Sequence, residues 1–137
     1  MDTDGVIPDD AADRLALLRS AAAAGSEAAT LAVDIVANDD ATALDALLAL
    51  AEGTTDGAAR REVSLVTALV QQQQGDARGA FKHLARSAAA GSRSATGLLG
   101  RAFLTGNGTA VNIHFATDLL LQVHHVHRLC RPRHAVD

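Results

Sequence analysis

The chain has 137 residues and a formal net charge of −4; 48% of it is apolar, much of that alanine, with three Phe and no Trp or Tyr. That length supports one domain whose core needs neither disulfide nor metal, and Cys130, the one cysteine, excludes an internal disulfide and fits a reducing compartment. No run of 18 apolar residues reads as a membrane span, and the acidic start MDTDGVIPDD lacks the apolar segment of a signal peptide, so a cytoplasmic placement is expected.

Abundant Ala and Leu, with few β-branched runs, favour helix over strand. Residues 1–8 read as disordered. Asp9 or Asp10 then caps a first helix bearing Leu15, Leu18 and Ala22, stopped by Gly25. Ser26 and Glu27 open a second helix with Ala29, Ala32, Val33 and Val36 on its apolar stripe. Asn38 to Asp40 form a polar break with capping capacity. A third helix buries Leu44, Leu47, Leu48 and Ala51 and stops at Gly53. After a turn at 54–57, a fourth presents Ala59, Val63, Val66, Leu69 and Val70 and runs into Gln71 to Gln74, an exposed last turn.

Gly75 stops the fourth helix and Asp76 caps a fifth, with Ala80, Phe81, Leu84, Ala85 and Ala88, which ends at Gly91. In the sixth, capped by Ser92, the residues Ala95, Leu98, Leu99, Ala102 and Phe103 recur at i, i+3, i+4, i+7 and i+8, one face of a helix. Gly106 and Gly108 end it. The seventh starts near Asn112, packs Ala116, Leu119, Leu120, Val123 and Val126, and cannot pass Pro132. Short connections set successive helices antiparallel. The expectation is an all-α chain: one helical domain over 9–131, with a disordered tail at 132–137.

The segment AAAGSEAAT at 22–30 returns as AAAGSRSAT at 88–96. Gly53, between Gly25 and Gly91, reads as a third stop of the same kind, and the mean interval falls in the range of helical repeats. Gly97 and Gly100 inside the sixth helix each cost about 1 kcal/mol against Ala, tolerable where a neighbouring helix fills the space of a Cβ. The seventh helix is therefore expected to cross the sixth at those two glycines.

With Ala95, Leu99-Gly100, Phe103, Gly106, Asn112 and Ala116 in place, the stretch 95–120 resembles a Sel1-like repeat, a relative of the tetratricopeptide repeat. The family's closing small pair and Gly stand upstream as Ala88 and Gly91, and again as Ala21-Ala22 and Gly25. Gly75-Asp76, followed by Ala80 and Leu84, resembles a tetratricopeptide turn. A second copy lies around 59–91. A third, around 29–53, has Val33 and Asp34 where Leu and Gly belong, and Val123-His124 makes the seventh helix a cap.

The resemblance implies a short α-solenoid of about seven helices, and a scaffold that binds a peptide or protein partner on a concave surface, without catalysis or cofactor. The second, fourth and sixth helices would line that surface, with Glu27, Asp34, Arg60, Arg61, Ser64, Thr67, Gln71, Arg93 and Arg101 as its outward polar residues.

Other chemistries find less in the residues. His124 and His127, at i and i+3, could face one metal ion with Cys130 as a third ligand, which gives the rival reading of a small ligand- or metal-binding regulatory domain. His114 is ten residues from His124, roughly 15 Å along the axis, and cannot join them. Surface histidines beside a buried thiol explain the same pattern, so no metal is expected. A nucleophile at Cys130 with His127 or His134 lacks an orienting group. The loop Gly106 to Thr109 lacks the Lys of a phosphate loop, and Asp34 and Asp118 have no acid/base mate.

Charge is divided unevenly. Residues 1–56 hold 12 acidic and 2 basic side chains, and residues 57–137 hold 4 and 10. Opposite ends could associate into a homo-oligomer. Arg128, Arg131 and Arg133 could meet phosphates, but no aromatic platform accompanies them, so a nucleic-acid partner is not expected.

Overall fold

A computed structural model of the chain describes the backbone of residues 11–129 and the side chains of residues 12–123. The described residues form seven helices and no strand: α1 (Ala11–Ala23), α2 (Glu27–Asn38), α3 (Ala41–Gly53), α4 (Gly57–Gln73), α5 (Ala77–Ala89), α6 (Arg93–Thr105) and α7 (Ile113–Leu129). Each packs on the next in sequence, and α2 also packs on α4.

The helix boundaries follow local chemistry. Ser26, Asp40, Asp56, Asp76 and Ser92 are N-caps whose side-chain oxygens accept backbone N–H groups of the first turn. Asn112 does the same for Phe115 N. The repeated segments make one turn twice. Gly25 and Gly91 have φ of 103° and 102°. The N–H of Ser26 reaches Ala21 O at 3.1 Å, and that of Ser92 reaches Ser87 O at 3.0 Å. This is the glycine-terminated closure that satisfies the last carbonyls of a helix.

Gly75, with φ of 83°, makes the same closure, since Asp76 N reaches Gln71 O at 2.8 Å. Gly53 does not. It is the last residue of α3, and the chain leaves through Thr54 in an extended conformation. The third turn of the kind is therefore at Gly75, where the αL conformation is used.

Two cores share one wall. Leu18, Ala28, Ala32, Ile35, Ala43, Leu47 and Ala51 pack against Val63, Val66 and Val70 of α4. Leu84, Ala95, Leu98, Leu99 and Leu119 pack against Leu65, Ala68 and Leu69 of the same helix. As a result, α4 is buried without interruption from Val63 to Gln71. A helix covered all round has no outward polar stripe.

The crossing of α6 by α7 holds at one of the two glycines. A Cβ on Gly100 would meet Leu120 Cγ at 3.0 Å and Ala116 O at 3.4 Å, whereas one on Gly97 would meet nothing within 4 Å. Gly97 is therefore not a point of close approach.

Candidate functional site

Four parts of the fold converge on an open cleft of about 340 Å³. The α4–α5 turn contributes Gln72, Gly75 and Ala77 to its wall. Leu98, Arg101, Ala102 and Thr105 come from α6, Arg14 from α1 and Asn107 from the loop after α6. Leu98 and Ala102 belong to the buried surface and give the cleft an apolar floor. Arg14 Nη1 donates to Gln72 Oε1 at 3.2 Å, which ties α1 to the end of α4. Thr105 Oγ1 donates to Arg101 O at 2.9 Å, so its hydroxyl is spent on its own helix.

The turn that shapes this cleft rests on a buried polar cluster. His83 is 3% exposed. Its Nδ1 lies 2.8 Å from Gln71 Oε1 and 3.0 Å from Gly79 O. Both neighbours are acceptors, so Nδ1 carries the proton. Gln71 Nε2 donates to Asp76 Oδ2 at 3.4 Å, and Asp76 Oδ1 accepts from Gly79 N at 3.0 Å. Burial holds the His83 pKa below the ordinary histidine value, helped by Arg86 and Lys82 and opposed by the Gly79 carbonyl and Glu52. Glu52 accepts from Arg86 Nη1 at 2.8 Å, and this bond and the guanidinium charge lower its own pKa.

The residues expected to line a partner surface are dispersed. Arg101 is exposed and enters the cleft. Arg60 is exposed and borders a separate hollow with Arg86. Glu27 is exposed, and Asp34, Arg61 and Arg93 are half-buried. The Arg61 carbonyl accepts from Ser87 Oγ at 2.7 Å, and Glu62 beside it accepts from Ser26 Oγ. The two matched turns thus meet adjacent residues of α4.

The outward placement of Ser64, Thr67 and Gln71 is overturned. Ser64 and Thr67 are 0% exposed and Gln71 is 7% exposed. Thr67 Oγ1 donates to Val63 O at 2.7 Å, which lets a hydroxyl sit inside a helix contact without a distant partner. The metal candidates His124, His127 and Cys130 lie outside the residues whose side chains are described. Among the described residues no three His, Cys, Asp or Glu side chains gather as a metal would require.

Sequence reasoning missed Arg14 and Gln72. The polyglutamine end of α4 was a signal in part, because four glutamines at a glycine stop leave amides beside a turn. No family model, curated protein or solved structure compared with the chain matches it.

Proposed function

We propose that this chain is a non-catalytic scaffold, a short α-solenoid of Sel1- and tetratricopeptide-like helix pairs, that holds an acidic segment of another polypeptide in the Arg14–Arg101 cleft. The observation that carries this reading is that Arg14, Gln72 and Arg101, from helices distant in sequence, line one cleft together with Leu98 and Ala102. A guanidinium fork suits a carboxylate, and the floor suits an aliphatic side chain beside it. Few polar groups placed in a largely preformed concavity are the usual means of fixing a ligand's orientation.

The array reading draws support from the two matched turns at Gly25 and Gly91 and from helices that pack on their neighbours in sequence. A cytoplasmic setting suits such a scaffold, and no helix among the described residues is long and apolar enough to cross a membrane.

The test is selection from a random peptide library on the purified chain, with an Arg14→Ala, Arg101→Ala variant as counter-selection. Enrichment of sequences with Asp or Glu next to a Leu or Val, lost on the variant, is the expected result. Enrichment that the double variant retains, or none at all, refutes the reading.

A further inference from the structure

The chain has three asparagines, Asn38, Asn107 and Asn112, and the fold treats them differently. An asparagine side chain is chemically labile when the N–H of the next residue can attack its Cγ. That attack needs a carboxamide free to turn, an N–H not already donated, and little bulk on the following residue. Asn112 is locked by its own role as a cap. Its Oδ1 accepts from Phe115 N at 3.0 Å, and the β-branched Ile113 follows it. Asn38 is protected from the other side, because the N–H of Asp39 donates to Ile35 O at 2.9 Å.

Asn107 is held in neither way. It is exposed in the loop between α6 and α7, and its carboxamide makes no hydrogen bond among the described residues. The next residue is Gly108, whose N–H finds no acceptor among the described residues. Gly108 has no side chain to shield that N–H. Its φ of 83° and the close approach of the Ala77 carbonyl leave room there for glycine only. The labile pair is thus built into the turn that leaves α6. Its position gives a change at this residue a consequence, because Asn107 lines the same cleft as Arg14 and Arg101.

We infer that Asn107 is a site of spontaneous covalent modification, at which its carboxamide is converted to a carboxylate on the wall of the arginine cleft. The Gly108 nitrogen bonds to Asn107 Cγ and loses its proton to solvent. The bond from Cγ to Nδ2 breaks, and Nδ2 leaves as ammonia. Water then adds to one of the two carbonyls of the resulting succinimide ring. Opening at Cγ gives aspartate, and opening at the Asn107 backbone carbonyl gives isoaspartate. No oxidant or further reactant is needed. Either product places a negative charge beside two guanidiniums, where it competes with an acidic ligand for them. That last consequence rests on the cleft's reading as an acidic-peptide site; the conversion itself does not.

Storage of the folded full chain in mildly alkaline buffer made with heavy-oxygen water, followed by peptide mapping with mass spectrometry, tests this. The expected result is heavy oxygen entering at residue 107 at least about tenfold faster than at Asn38 or Asn112, since a free N–H on glycine is available at 107 alone. Asn107→Gln, which keeps an amide but closes a ring far less readily, is expected to show no conversion at 107. Asn107→Asp carries the product's charge from the outset. It is expected to bind an acidic peptide selected on the parent chain about threefold or more weakly than the parent does, with the difference shrinking in high salt. The conversion is read without any ligand, so its failure is distinct from a failure of the cleft reading. Conversion at 107 no faster than at the other two asparagines overturns the inference, and equal binding of the acidic peptide to Asn107→Asp and to the parent overturns its consequence for the cleft.

Discussion

His83 of α5 and Gln71 of α4 share a hydrogen bond of 2.8 Å inside the contact between their helices. The bond needs a proton on Nδ1, and burial favours the neutral form of the imidazole. The folded-state pKa lies below the ordinary value, so the unfolded chain takes up this proton first as pH falls. Stability from this site is complete above about pH 6.5 and declines from there down to the depressed folded value. Chemical denaturation at several pH values checks this: the loss between pH 7 and 5 should be smaller in His83→Gln than in the parent chain. Equal losses in the two would mean that other groups carry the dependence.

Gly97 and Gly100 lie one helical turn apart in α6 and should respond oppositely to alanine. A Cβ on Gly97 has open space and a normal helical backbone, so Gly97→Ala should raise stability by up to about 1 kcal/mol. A Cβ on Gly100 must displace Leu120, which offsets the helix-propensity gain, and Gly100→Ala should be neutral or destabilising by about 1 kcal/mol. Thermal melts of the two variants give the comparison directly.

Gly108 is the position least tolerant of a side chain. Its φ is 83°, and a Cβ would run into the carbonyl of Ala77 and come within 3.2 Å of Phe81 Cβ. The obstacle is backbone at the start of α5, which cannot step aside as a side chain can. Gly108→Ala should cost about 2–4 kcal/mol in a denaturant titration.

Ser64 is fully buried in α4, and its Oγ has no hydrogen-bond partner among the described residues. A buried hydroxyl left unpaired opposes folding, and alanine is the better helix former. Ser64→Ala should therefore raise the denaturation midpoint, equivalent to about 1 kcal/mol. A lower midpoint would mean that the hydroxyl is satisfied in solution.

What could be read from the sequence was what neighbouring residues decide. Helix ends at Gly25, Gly75, Gly91 and Gly106 depend on a positive φ that glycine adopts freely, and all four have it. The caps at Ser26, Asp40, Asp76, Ser92 and Asn112 were legible for the same local reason. The environment of α4 was not. Its pattern of Val63, Val66, Leu69 and Val70 suggests a one-sided helix, yet Leu65 and Ala68 face a second core. Ser64 and Thr67 look like surface residues in sequence because small hydroxyl side chains suit either setting. The cleft was legible at Arg101 but not at Arg14, since only the fold brings α1 beside the end of α4.

The most direct measurement of the proposed role is a binding titration by fluorescence anisotropy, with an acidic peptide selected on the chain, its Lys-substituted counterpart, and the Arg101→Glu variant. Binding of the acidic peptide to the parent chain should weaken with salt and fall by at least about tenfold in the variant, as expected when an attractive charge contact becomes repulsive, while the Lys-substituted peptide should bind the variant better than the parent. Equal binding of the acidic peptide to both proteins would place the partner elsewhere and contradict the role assigned to the cleft.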